Sequence, residues 1–487
     1  MLIDSLFAHA AGQPQTTAII DESGSYTYAQ LARMAMGAGA VIAAQTQRPG
    51  IGVLLPSGVG FVASFFGALL AKRFVVPINF LLGDREVAHC VADSGMDTVI
   101  TVPQLAGKIK DLGLKVIDVT QLAAMAASAS PPTPTTPAAS DDLAVLMYTS
   151  GTSGLPKGVP LTFGNLQSNV DSSIAHVAFE RQHKFLGIIP LFHAFGMTAM
   201  LLAPIQLGAT IVYMARFSPV GALNAIKQHG ISIMGGVPSM FGAMLRLKDP
   251  STEDFKTIYA MISGGEPLPS SLREAFGARF GVTLYEAYGM TETSLAIAVN
   301  TPQMHKAGSV GKAIPGMQIR IVDDTGNPVS AGAEGEICVK GPMVMKGYHD
   351  LPDETAAVMT SDGYFKTGDL GRIDQDGFLF ITGRKKDLII VAGEKASPRE
   401  IEEMLMSHPS VAEAAVIGVK DVSRGEVIAA FVIAREGRAL EADELRAFCR
   451  EQGLAQWKVP RQVHIVPDLP RSPIGKVLKR ELRLPPA

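Results

Sequence analysis

The sequence predicts an α/β protein. A large N-terminal domain of packed α/β subdomains, with parallel-rich sheets and a small β-barrel-like part, precedes a small C-terminal α+β domain. Three observations predict it. Short Val/Ile/Leu runs alternate with Ala-rich stretches over most of the chain, the texture of buried parallel strands joined by helices. After about residue 300 the pattern turns to strands separated by tight turns, as in antiparallel hairpins. The 487 residues also exceed what one core organises, so two or more domains are expected.

In chain order, residues 51–55, 75–78, 98–102, 144–148, 210–214 and 232–235 read as strands of the parallel type. Residues 128–140, which hold four prolines, read as a surface connector inside the large domain, because a strand resumes directly after them. Residues 318–322 and 335–340 flank the turn Asp323-Asp324-Thr325-Gly326-Asn327 and read as antiparallel strands. A basic turn at 383–387 is followed by Ser397-Pro398-Arg399-Glu400, which opens an amphipathic helix with proline and acid in its first turn. The boundary is placed near Arg384, giving domains of residues 1–383 and 384–487.

Composition excludes several classes. A net charge of −3 provides no general attraction for nucleic acid or acidic lipid. Cys90, Cys338 and Cys449 lie too far apart for a disulfide framework or zinc knuckle, and none of the ten histidines forms an HExxH pair. With Asp4 early and no basic leader, a reducing, cytoplasmic setting is expected. Residues 50–71 and 185–215 lack formal charge and exceed the roughly 18 residues of a membrane span. Pro56-Ser57-Gly58 interrupts the first and Pro190 and Pro204 the second, so each reads as a strand followed by a packed helix, and no transmembrane segment is expected.

The most informative stretch is YTSGTSGLPKGV at 148–159, directly after an apolar strand. Its glycines permit close backbone approach, and its hydroxyls and one ammonium supply donors for a phosphate chain. A plain Gly/Ser/Thr turn has the same composition. It is not a Walker A loop, since Pro156 stands where a glycine should precede Lys157. Gly58, Gly60 and Ala63 fit G-x-G-x-x-A, but Asp84 lies in a turn and not at the end of a second strand, so a tight βα turn is the better reading. Four further motifs follow: Ser263-Gly264-Gly265-Glu266-Pro267, residues 285–293 ending in YGMTET, YFKTGDL at 364–370 and PRSPIGK at 470–476. Each alone reads as a turn or a solvated charge.

In this order, and with GRKKDLIIVAGEKASPREIE at 383–402, the motifs resemble the adenylate-forming superfamily of acyl-CoA synthetases, peptide-synthetase adenylation domains and beetle luciferases, over nearly the whole chain. The resemblance implies an acid–thiol ligase of the fatty acid–CoA ligase branch. Such an enzyme uses ATP and Mg²⁺ to form an acyl-adenylate and passes the acyl group to coenzyme A. It implies that Thr149, Ser150, Gly151, Thr152, Ser153, Gly154 and Lys157 cradle the β- and γ-phosphates and that Glu292 holds Mg²⁺. Gly264, Gly265, Glu266 and Pro267, together with Glu286, Ala287, Tyr288, Gly289, Met290 and Thr291, are implied around the nucleotide. Asp369 is implied at the ribose, Arg384 at the ribose or phosphates, and Lys476 between the carboxylate and the α-phosphate. Lys386 matches a hinge, and rotation about it brings Gly393, Glu394 and Lys395 to the thiol tunnel. Ser153 replaces a usual threonine, Phe163 a frequent histidine, and Lys72-Arg73-Phe74 a small Ala-Gly-type run.

The expected partners are a small carboxylic acid and coenzyme A. The acyl pocket is expected from His193, Phe195, Met197, Gly235, Gly236, Val237, Met240 and Leu295. These segments carry no Arg or Lys for a second carboxylate, which argues against diacids. His193 stands where peptide-synthetase domains place an aspartate for the substrate amine, and no carrier domain follows the lysine motif, which argues against amino acids. Medium- or long-chain fatty acids remain, with aryl acids behind them; the glycine pair reads either as room for a deep tail or simply as a strand-end turn. A carrier-protein-loading ligase, a luciferase-like oxidase and a non-catalytic nucleotide binder are the competing readings. Oligomeric state is open between monomer and homodimer.

Overall fold

The computed structural model describes residues 2–122, 124, 138–149, 155–248, 250–391, 393–421, 425–471 and 477–484. Most of the proline-rich connector, together with Ser150, Gly151, Thr152, Ser153, Gly154, Ala392 and Lys476, lies outside the described residues.

Four sheets organise the chain. A nine-stranded sheet runs Lys312–Ala313, Leu295–Val299, Leu284–Met290, Ala260–Ser263, Ile233–Gly236, Lys184–Gly187, Thr210–Tyr213, Thr17–Asp21, Gly24–Thr27, parallel at its centre and antiparallel at both edges. A six-stranded sheet runs Lys115–Asp118, Thr98–Thr101, Gly50–Leu54, Phe74–Pro77, Leu143–Thr149, Lys157–Thr162, and its last pair is antiparallel. The predicted strands fall within a residue or so of these. The antiparallel part is a four-stranded sheet of Gln318–Val322, Gly335–Lys340, Phe365–Ile373 and Leu379–Arg384. From Ile389 onward the chain builds a separate five-stranded sheet around its own core of Ile401, Leu405, Val416, Ile428 and Leu445; this part is called the C-terminal lobe below.

The apolar stretches fold as strand plus helix. Gly50–Leu54 turns at Gly58 into the helix Val59–Leu70, whose first amide, Val59 N, donates to Asp21 Oδ2 at 2.8 Å. The carboxylate caps the helix, so the G-x-G-x-x-A stretch is a tight βα turn. This helix packs closely on Tyr28–Gln45, where a Cβ on Gly67 would lie 2.6 Å from that of Ala38. No helix among the described residues is long and apolar enough to cross a membrane.

The structure also accounts for two unexplained stretches. Phe163 opens the helix Phe163–Val177 and is buried in the main core. In the Lys72-Arg73-Phe74 run, Arg73 Nη2 donates to Thr46 O at 3.2 Å, and Phe74 fills the space above Gly50, where a Cβ would lie 2.5 Å from its ring.

Candidate active site

The candidate motifs sit where the parallel strands end. Ile233–Gly236 leads to Val237, Ala260–Ser263 to Gly264, and Lys184–Gly187 to the 190–195 segment, all at the carboxyl ends of neighbouring strands. That edge of an open parallel sheet is where ligands bind in α/β folds, because the strand ends leave a crevice lined by the following loops.

The base of the phosphate-type loop is an antiparallel pair in which Thr149 faces Lys157. Its position is fixed by Pro156 O on His89 Nε2 at 2.9 Å and by Tyr148 OH donating to Asp93 Oδ2 at 2.7 Å. Lys157 pairs with Glu354 and lies over the Tyr348 ring, 5.1 Å from its centroid. The Tyr348 hydroxyl donates in turn to Glu292 Oε1 at 3.0 Å. Burial raises the Glu292 carboxyl above its ordinary value, the Tyr348 hydrogen bond opposing this. Residues 292, 348, 157 and 354 thus form one chain of contacts.

Glu292 occupies a strained turn. Ser294 and Leu295 have φ of 60° and 143°, unusual for residues other than glycine. The turn is held by buried Asn169, whose Nδ2 donates to Thr293 O at 2.9 Å and to Ala296 O at 3.0 Å, and by Thr198 Oγ1, which donates to Ser294 O at 2.7 Å. Gly289 packs so tightly beneath it that a Cβ would overlap Leu295 O.

Asp369, 4% exposed, receives Tyr288 OH on Oδ2 at 2.6 Å and Arg384 Nε on Oδ1 at 3.0 Å. Asp369 and Arg384 face each other across adjacent strands, so their meeting is a matter of register. The 264–267 loop lies alongside: Gly265 takes φ 84°, Glu266 and Pro267 reach the surface, and Leu268 N donates to Glu286 Oε1 at 3.1 Å. Ala287, Met290 and Thr291 are partly buried in the same stretch.

In the C-terminal lobe, Arg471 and Val477, which flank residues 472–476 in sequence, pair with each other. Glu266 is among the charges acting on Arg471, so Arg471 lies within electrostatic range of the 264–267 loop. Lys386 is exposed in the turn Lys385–Asp387. Gly393, Glu394 and Lys395 are exposed, and Lys395 pairs with Asp324 at 2.7 Å, so the structure ties this hairpin to the four-stranded sheet and not to the nucleotide motifs.

The glycine pair ends the strand Ile233–Gly236 at a crowded point. A Cβ on Gly235 would lie 2.7 Å from Met200 Cε and 2.8 Å from the Phe195 ring, and one on Gly236 would lie 3.0 Å from the Phe241 ring. The glycines admit neighbouring side chains, which fill the space. Phe195 also lies near Gly264, at 3.4 Å from a Cβ there, so the 190–200 and 264–267 segments adjoin. Residues 195–202 form a π-helical turn, an irregularity frequent at functional sites. His193 lies 4.7 Å from the Phe192 ring, centroid to centroid. Val237 is buried, Leu295 packs on the main core, Met197 is wholly enclosed in it, and Met240 packs on a different core with Phe241 and Met244 nearby.

Sequence reasoning missed Tyr348, Glu354, Asn169 and the inward contact of Arg399. Tyr348 follows Gly347 between two assigned motifs, a signal available but not used. Asn169 and Arg399 sit in ordinary amphipathic helices and carry no local signal.

The model of the AMP-binding enzyme family matches residues 6–349, and that of the AMP-binding enzyme C-terminal domain matches residues 400–476. Feruloyl-CoA synthase of Amycolatopsis sp is 35% identical over 96% of this chain and 96% of its own length. A long-chain-fatty-acid–CoA ligase of Bacillus subtilis is 33% identical over 97% of this chain and 92% of its own. The solved structure of o-succinylbenzoate coenzyme A synthetase from Bacillus subtilis, with ATP and magnesium ion, superposes with TM-score 0.88 at 33% identity over 98% of both chains. The chain belongs to the AMP-binding enzymes, the adenylate-forming acyl-CoA synthetase family. Its reaction class is that of an ATP-dependent, AMP-forming acid–CoA ligase.

Proposed function

We propose that the chain activates an apolar monocarboxylic acid of compact, aryl-like size and transfers its acyl group to coenzyme A. The observation that carries the choice of acid is the crowding over Gly235, where Phe195 and Met200 come within 2.8 Å of where a Cβ would stand, close to Gly264. The absence of Arg and Lys from residues 192–200 and 235–240 supports a monoacid. The 35% identity to a feruloyl-CoA synthase supports the same reading. Fatty acids, favoured by the apolar lining, come second because Phe195 and Met200 crowd Gly235.

In this reading Thr149 and Lys157 hold the β- and γ-phosphates, with Glu354 yielding Lys157 to them. Asp369 accepts the ribose hydroxyls once Tyr288 and Arg384 give way, and the 264–267 loop with Tyr288 and Gly289 flanks the base. Glu292 suits a magnesium ion that arrives with the nucleotide: it is a largely buried carboxylate, oriented by Tyr348 donating to Oε1, and Mg²⁺ commonly takes one or two carboxylates plus phosphate oxygens. When bound, the ion neutralises phosphate charge. Lys476 balances charge between carboxylate and α-phosphate.

Lys386 serves as a hinge between domains 1–383 and 384–487. Support comes from the end of the four-stranded sheet at Arg384 and the separate core beyond Ile389. Rotation would break the exposed Lys395–Asp324 pair and carry Gly393 and Glu394 to the thiol.

A panel of acids scored for AMP release with and without coenzyme A tests the proposal. A cinnamate-type acid is expected to give the highest kcat/KM, with AMP and pyrophosphate as products. Malonate, an amino acid or hexadecanoate in first place overturns the pocket argument, and stoichiometric ADP overturns the chemistry.

A further inference from the structure

Glu286 is the buried carboxylate of the strand Leu284–Met290, 4% exposed. Its main-chain oxygen is held by Asn300 N at 3.1 Å and Asn300 Nδ2 at 3.2 Å, so the backbone is pinned. Its Oε1 accepts from Leu268 N, the first residue after the 264–267 loop, and its Oε2 has no hydrogen-bond partner among the described residues. An anion in that position needs a cation. The arginine acting on it most strongly comes from the other lobe: Arg399 Nη2, on the helix Pro398–Met406, stands 3.9 Å from Glu286 Oε1. The Arg399 side chain is 13% exposed, and Glu403, one turn along, fixes it by accepting from Nε at 2.8 Å. The other charged contact described above between the lobes, Lys395 with Asp324, is exposed on both sides and contributes little to orientation.

We propose that Arg399 is a positioning residue for adenylate formation: docked on Glu286, it couples the orientation of the C-terminal lobe to the order of the 264–267 nucleotide loop. The inference rests on the two-orientation reading above. Arg399 in place favours the charged form of the carboxylate, the stronger acceptor for Leu268 N, which anchors the loop. When the lobe turns away, a buried carboxylate without its cation is costly, and the anchor weakens. Because such coupling is reciprocal, a nucleotide seated in the loop favours the docked lobe, and its release as AMP accompanies undocking.

The full-length protein tests this with Arg399→Ala, Arg399→Lys, Glu286→Gln and the Arg399→Ala/Glu286→Gln pair. Acid-dependent ATP–pyrophosphate exchange reads the first half-reaction, and thioester formation from a supplied acyl-adenylate reads the second. Arg399→Ala is expected to raise the KM for ATP in exchange about tenfold, within the usual range of coupling between sites. Thioester formation should stay within about twofold of wild type, the second half-reaction using the undocked lobe. Arg399→Lys should recover part of the loss, and Arg399→Ala should add nothing in the Glu286→Gln background. An unchanged KM for ATP, equal losses in both halves, or the same Arg399→Ala effect without Glu286 overturns the coupling. A wild-type enzyme that makes thioester from supplied adenylate but shows no exchange refutes the two-step reading itself.

Discussion

Glu286→Gln isolates the cost of one buried charge. Burial pushes the Glu286 carboxyl from an ordinary 4.5 up to about 7, against the pull of Arg399 and the Leu268 amide; Arg273 and Glu403 are the other charges facing it. The native state therefore keeps a proton that the unfolded chain loses near pH 4.5. Between pH 4.5 and about 7 the native state binds more protons, so stability falls as pH rises, and the loss is complete above 7. The rise corresponds to about 3 kcal/mol at 1.36 kcal/mol per pH unit. Glutamine keeps an oxygen for Leu268 N and carries no charge at any pH. The stability of the mutant relative to wild type should thus climb by about 3 kcal/mol between pH 4.5 and 8, on top of a constant offset from the altered contact with Arg399. Urea unfolding followed by circular dichroism at several pH values measures it, since Trp457, the sole tryptophan, reports mainly on the C-terminal lobe. Parallel pH–stability curves for the two proteins would refute the assignment of a buried, proton-holding carboxyl.

Three further outcomes are expected. Tyr348→Phe keeps the ring over Lys157 but deletes the hydrogen bond to Glu292. A bond to a charged group contributes about 1.5–3 kcal/mol, so kcat/KM for ATP should fall at least about tenfold and the Mg²⁺ requirement should rise in a magnesium titration. Gly289→Ala forces a methyl into Leu295 O, and overpacking against backbone costs about 1–3 kcal/mol, so a lower Tm and lost adenylation are expected; unchanged melting would show that the turn relaxes. Lys476→Ala should slow adenylate formation about 10²–10³-fold yet spare thioester formation from a supplied adenylate, which single-turnover kinetics of a folded mutant can separate.

The sequence by itself determined the fold class, the family and the order of the motifs. The strands at 50–54, 74–77, 98–101 and 233–236 were legible because a strand buried on both faces must be a continuous apolar run, and the βα turn at Gly58 because only a few residue types serve it. The family was legible because its motifs stand in order over nearly the whole chain. Tertiary structure alone decided which distant groups meet. Register across two strands sets Asp369 against Arg384, and chain crossing brings Tyr348 between Lys157 and Glu292. Docking of the C-terminal helix brings Arg399 to Glu286. Tertiary structure also showed what borders Gly235: an absent side chain reads as space in a sequence, but in a close-packed interior neighbours approach it, here Phe195 and Met200. Local spacing encodes what a segment can bind, whereas burial and register, which depend on residues of other elements, decide what it actually touches.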